Sequence, residues 1–162
     1  MATTSTEVSA IIVPIGELTL ILPSAMVAEI LSDRDANVNS SGDAPGWVLG
    51  TIDWRGWTVP VLSFDTACDI QESGSQNATT TEKILVLKNP NGGDAQPYIA
   101  FIIASYPQVI MIKPDSISVA PEPSHTSSMI SQHVLYNNRQ TVIPDFATLN
   151  GELSNSVVQL NV

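Results

Sequence analysis

What most narrows the fold of this chain is a two-residue reversal, Arg55-Gly56. It lies between two apolar, β-branched runs, Val48-Leu49-Gly50-Thr51-Ile52-Asp53-Trp54 and Trp57-Thr58-Val59-Pro60-Val61-Leu62. Glycine takes positive φ without steric cost, so Gly56 suits the turn of an antiparallel hairpin. With the turn there, Trp54 opposes Trp57, Ile52 opposes Val59 and Gly50 opposes Val61. The two-residue period of a strand sets all of these on one face. Arg55 is left at the tip, a planar and permanently charged donor beside two indoles. An exposed arginine among aromatics is a candidate anchor for a protein partner. The plainer reading is an ordinary hairpin with a solvated tip.

Strand-like runs recur along the chain, at 10–14, 18–22, 48–53, 58–64, 83–87, 98–104, 109–112, 116–119, 134–136 and 140–143. Each is rich in Ile, Val, Leu or Thr and bounded by Gly, Pro, Asn or Ser. Helical potential is confined to 24–31, with a turn or two at 64–70 and 146–149. Many short strands with frequent turn signals predict an all-β fold with short helices. The segments 32–45, 71–81, 89–97 and 121–131 read as loops, and residues 1–9 as disordered. A single structural unit over 10–150, with a linker near 71–81 and a tail at 151–162, is the expected division. The tail reads as an edge strand or a docking segment.

A loose internal echo suggests two related halves. Arg55-Gly56-Trp57-Thr58-Val59-Pro60 is matched by Arg139-Gln140-Thr141-Val142-Ile143-Pro144, and 18–22 resembles 98–104. In the later hairpin Asn137-Asn138 supplies the turn, because asparagine tolerates the left-handed conformation. Each half then amounts to a barrel of about five strands. Neither buries much alone, so the two should share an apolar interface.

Composition excludes several classes. A formal charge of −10, with only six Lys and Arg in 162 residues, repels phosphate backbones and anionic membranes. Nucleic-acid binding and membrane insertion are therefore not expected. The apolar stretch at 10–22 is too short and too interrupted to span a bilayer. A lone cysteine, Cys68, rules out an intrachain disulfide and fits a reducing, cytoplasmic setting. No metal or cofactor is expected, since His125 and His133 have no ligand-spaced companions. No nucleotide-binding or nucleophile-elbow motif occurs. Asp145, just before 146–149, reads as a helix cap.

The hairpin and three further segments resemble the CheW family of chemosensory adaptors. Val48-Leu49-Gly50-Thr51-Ile52-Asp53-Trp54-Arg55-Gly56-Trp57-Thr58-Val59-Pro60 is similar to its signature hairpin. Pro23-Ser24-Ala25-Met26-Val27-Ala28-Glu29-Ile30 is similar to its V-x-E-I stretch. Val134-Leu135-Tyr136-Asn137-Asn138-Arg139 resembles its closing hairpin, and Ile112-Lys113-Pro114-Asp115-Ser116-Ile117 the run before its variable loop. The likeness covers roughly 11–150, in the same order. It implies two interlocked SH3-like five-stranded β-barrels and a non-enzymatic adaptor. It further implies two partners, the regulatory domain of a CheA-type histidine kinase and the tip of a methyl-accepting chemoreceptor.

Glu29 and Arg55 match the family's paired glutamate and arginine near the receptor groove. Val27 and Ile30 match apolar positions that could line that groove, although core packing explains them more simply. Asp53, Trp54 and Trp57 depart from the family's commoner residues on either side of Arg55 and Gly56. Together with the acidic charge, they suggest a divergent paralogue, such as one serving a type IV pilus system and twitching motility. Self-association is a further expectation. The alternative from another class is a ligand-binding or enzymatic β-barrel with a carboxylate-lined pocket.

Overall fold

The computed structural model describes residues 8–15, 18–32, 47–68, 83–90, 92–93, 96–103, 105–120 and 127–160, with side chains as far as Leu153. In chain order its strands are β1 (Val8–Ile15), β2 (Leu18–Pro23), β3 (Val27–Ser32), β4 (Val48–Trp54), β5 (Trp57–Leu62), β6 (Lys83–Lys88), β7 (Tyr98–Ile103), β8 (Gln108–Ile112), β9 (Ile117–Val119), β10 (Ile130–Tyr136) and β11 (Arg139–Pro144). Two helices accompany them, α1 (Phe64–Ala67) and α2 (Phe146–Leu160).

The strands form two sheets with one shared plan. The first runs β8-β1-β2-β11-β10-β9 and the second β3-β6-β7-β5-β4. In each, a tight hairpin (β10–β11 or β4–β5) joins an antiparallel pair (β1–β2 or β6–β7) through one parallel contact. The expected all-β class and twin SH3-like architecture are therefore observed, with a sixth strand, β9, in the first sheet where five were expected. The sheets do not, however, divide the chain into consecutive halves. Strands β3–β7 form the second sheet, and the first is assembled from β1–β2 and β8–β11. The expected linker at 71–81 lies outside the described residues, and the strands on its two sides, β5 and β6, belong to the same sheet. The two barrels are thus interlocked by chain exchange.

Each sheet packs apolar residues on both faces, while β8 and β9 at the edges of the first stay largely exposed. The shared core between them holds Ile11, Val13, Leu20 and Leu22 from the first sheet, with Leu85, Leu87, Ile99, Phe101 and Ile103 from the second. Helix α2 adds Phe146, Leu149 and Leu153, and the Phe146 ring stacks on Phe101 at 6.2 Å. Each sheet's outer face has its own smaller core. Among the described residues, no buried side-chain nitrogen or oxygen lacks a hydrogen-bond partner. The seam between the barrels is lined by apolar side chains from both sheets, so each module buries surface that it could not bury alone.

Three local expectations are corrected. The helical potential over 24–31 yields only one 3₁₀ turn, Ser24–Met26, before the chain enters β3. Alanine, Met and Leu favour a helix there, but pairing with β6 from Val27↔Leu87 to Ser32↔Lys83 overrides propensity. Strand β1 starts at Val8, because Val8 and Ser9 pair with Ile112 and Met111 of β8. The tail is not an edge strand as far as Leu160, since α2 continues to that residue. The helix persists through Gly151 because Leu149 and Leu153, one turn apart, both reach the shared core.

The start of α2 is capped as expected. Asp145 Oδ1 accepts from the Thr148 backbone N–H at 3.0 Å. Asn150, on the same helix, exchanges two hydrogen bonds of 2.7 Å with Asn89 at the end of β6. Asn89 Nδ2 also donates to the Gln96 carbonyl at 3.0 Å. A Cβ on Gly92 would lie 1.7 Å from that carbonyl oxygen, so only glycine fits the turn. This amide network ties the helix following the first sheet to the β6–β7 connection of the second.

Candidate protein-docking site

The β4–β5 hairpin has the register read from the sequence: Trp54↔Trp57, Ile52↔Val59 and Gly50↔Val61. Its turn places Arg55 at φ 48° and Gly56 at φ 83°, both in the left-handed region of a two-residue hairpin turn. Ile52, Trp54, Val59 and Val61 pack together on the outer face of the second sheet. Trp54 is 6% exposed. Its cross-strand partner Trp57 is 42% exposed, because the hairpin end projects past the sheet.

Glu29 reaches this face from β3. A register shift between Val27 and Glu29 pairs Glu29 with Val86, on the side of the Trp54 core. Its Oε2 accepts a hydrogen bond from Trp54 Nε1. Its Oε1 lies 3.6 Å from Arg55 Nη2. The Arg55 guanidinium sits over the Trp54 ring, 4.8 Å from its centroid. Trp54 also meets Tyr98 edge-on at 4.7 Å, and Trp57 tilts against the same Tyr98 ring at 6.0 Å. The result is an aromatic base with one guanidinium on top.

The energetics separate base from cap. The Arg55 and Glu29 side chains are 67% and 37% exposed, so their ion pair alone is worth about 0–1 kcal/mol. The cation–π contact adds about 0.5–1 kcal/mol at such a site. Burial of Trp54 outweighs both, since truncating a core aromatic costs about 3–5 kcal/mol.

Glu29, Trp54, Arg55 and Trp57 are thus brought together, with Gly56 shaping the turn between them. Asp53 is exposed and points to the other side of its strand, away from the cluster. Val27 and Ile30 pack against the shared core on the face opposite Glu29. Tyr98 is the member that sequence reasoning missed. It opens β7, 41 positions from Trp57, and only the parallel β5–β7 contact brings it alongside. No local motif signals that pairing.

A family model for the CheW-like domain matches residues 9–152. The chain belongs to the CheW family. No curated protein matches it by sequence. The structure is similar to the crystal structure of scaffolding protein TtCheW from Thermoanaerobacter tengcongensis. The TM-score is 0.67 with 16% identity, covering 90% of this chain and 88% of that one. At that identity the likeness speaks for the fold. CheW-like proteins are scaffold adaptors without catalytic activity, which sets aside the enzymatic-barrel alternative. Among the described residues no group of His, Cys, Asp or Glu is arranged to hold a metal ion. No helix there is long and apolar enough to cross a membrane. Cys68 is buried. His125 lies outside the described residues, while His133 is half-buried on β10.

Proposed function

We propose that this CheW-family scaffold couples a chemoreceptor tip to the regulatory domain of a CheA-type histidine kinase in the cytoplasm. In this reading the Glu29–Trp54–Arg55–Trp57 cluster faces the receptor, and a barrel end meets the kinase. The observation that carries it is the presence of Arg55 at a left-handed turn position, φ 48°. An L-residue there costs about 1–2 kcal/mol, which Gly or Asn largely avoids. The turn does not call for arginine, so its presence there points to a role for the exposed guanidinium. The apolar seam between the barrels supports the same reading, because a scaffold works as a spacer with complementary surfaces. The Trp54 and Trp57 departures support a divergent member, which we assign to a pilus-linked pathway.

The test is capture of histidine kinases and receptor-tip fragments from the same cell by the immobilised protein. Arg55→Ala should weaken receptor capture while leaving kinase capture nearly unchanged and the melting temperature only modestly lower. A large loss of stability with undiminished receptor capture would make Arg55 structural. Recovery of only a flagellar-type kinase would overturn the pilus assignment.

A further inference from the structure

The Glu29–Arg55 ion pair is too exposed to hold its own geometry. Two long side chains at this level of exposure gain little from pairing and lose it in salt. Yet both groups converge on one buried ring. The Trp54 N–H edge holds the Glu29 carboxylate, and the Trp54 face carries the guanidinium. The ring itself is fixed by 6% exposure and by edge contact with Tyr98.

We infer that Trp54 is the positioning residue for Arg55, acting through its N–H on Glu29 and through its face on the guanidinium, so that Arg55 is presented outward in one orientation. The inference rests on the docking role proposed above for the partner it serves, but its geometry stands without a partner. One carboxylate oxygen is occupied by the indole and the other faces a single guanidinium nitrogen. The remaining guanidinium donors are left for a docking protein. Tyr98 links Trp54 to Trp57, so the exposed indole is held on the same base.

The experiment uses the full chain, labelled with nitrogen-15, and reads the Trp54 indole N–H and the Arg55 Nε–H by NMR. Trp47→Phe and Trp57→Phe identify the indole resonances. In the wild type the Arg55 Nε–H should be ordered, and raising NaCl from about 0.1 M to about 0.5 M should leave it so. Glu29→Met should shift the Trp54 indole resonance and loosen Arg55. Glu29→Gln retains an oxygen acceptor and should shift the indole less. Trp54→Phe keeps a ring but no donor, and should loosen Arg55 and weaken binding of a receptor-tip fragment by about three- to tenfold. Should Trp54→Phe fail to fold, the two Glu29 variants decide alone. An Arg55 signal already mobile in the wild type, or unchanged in Glu29→Met, overturns the inference while leaving the adaptor role standing. An ordered Arg55 with no receptor binding by the wild type would instead remove the receptor and keep the clasp.

Discussion

The hairpins β4–β5 and β10–β11 occupy equivalent places in the two sheets, yet their tips differ. Both reverse through two residues of positive φ, Arg55 and Gly56 at 48° and 83°, Asn137 and Asn138 at 48° and 66°. The second uses a residue type that enters this conformation readily. Its surroundings are plain. Asn137 donates its backbone N–H to the Ser116 carbonyl, Thr141 Oγ1 donates to the Val134 carbonyl, and half-buried Tyr136 packs on the outer core. The first sets an arginine in the same strained position and builds three aromatic rings beneath it. One tip simply closes a sheet. The other carries exposed chemistry on a buried foundation, which is where a docking surface is expected.

Substitutions at matched positions can break or sharpen that contrast. The largest effect should come from the residue before each turn. Trp54→Ala should cost about 3–5 kcal/mol in denaturant unfolding. Tyr136→Ala, from a half-buried site, should cost about 0.5–3 kcal/mol. Equal losses would mean that Trp54 is no more of a foundation than Tyr136.

A β-branched residue at the second turn position should hurt both tips alike. Gly56→Val and Asn138→Val should each cost about 1–2 kcal/mol from the backbone alone. Open space around Gly56 leaves no clash to add. A much larger loss at Gly56 in thermal melts would argue against this shared turn geometry.

No larger than that, Arg55→Ala should cost about 0.5–2 kcal/mol, and the ion-pair share should shrink in high salt. Receptor capture should drop even so. Least of all, Asn138→Gly should alter stability by less than about 0.5 kcal/mol and leave every binding measurement as it was. A binding defect there would mean that the second tip also docks.

Much of this could be read from the residues in order. The Arg55-Gly56 and Asn137-Asn138 turns fix their hairpins because few residue types take positive φ. The likeness of 18–22 to 98–104 also holds in space, since β2 and β7 fill the same slot in their sheets. The companion match of Arg55 to Arg139 is two residues out of step, because tip for tip Arg55 stands against Asn137. Glu29 was legible as a partner for Arg55, but only on the wrong element. On β3 it faces away from Ile30 by alternation, and away from Val27 because the register shifts between Val27 and Glu29.

Local chemistry in the chain determined its strands, its two tight turns, the Asp145 cap and the apolar supply for a core. These depend on neighbours within a few positions, so order along the chain carries them. Tertiary structure alone decided that β3–β7 sit inside the span of the first sheet, that α2 runs to Leu160, and that Tyr98 joins two tryptophans. Those outcomes follow from parallel β2–β11 and β5–β7 contacts across many residues and from burial in a shared core. Their free energy exists only once both sheets have formed, and no short stretch of sequence contains it.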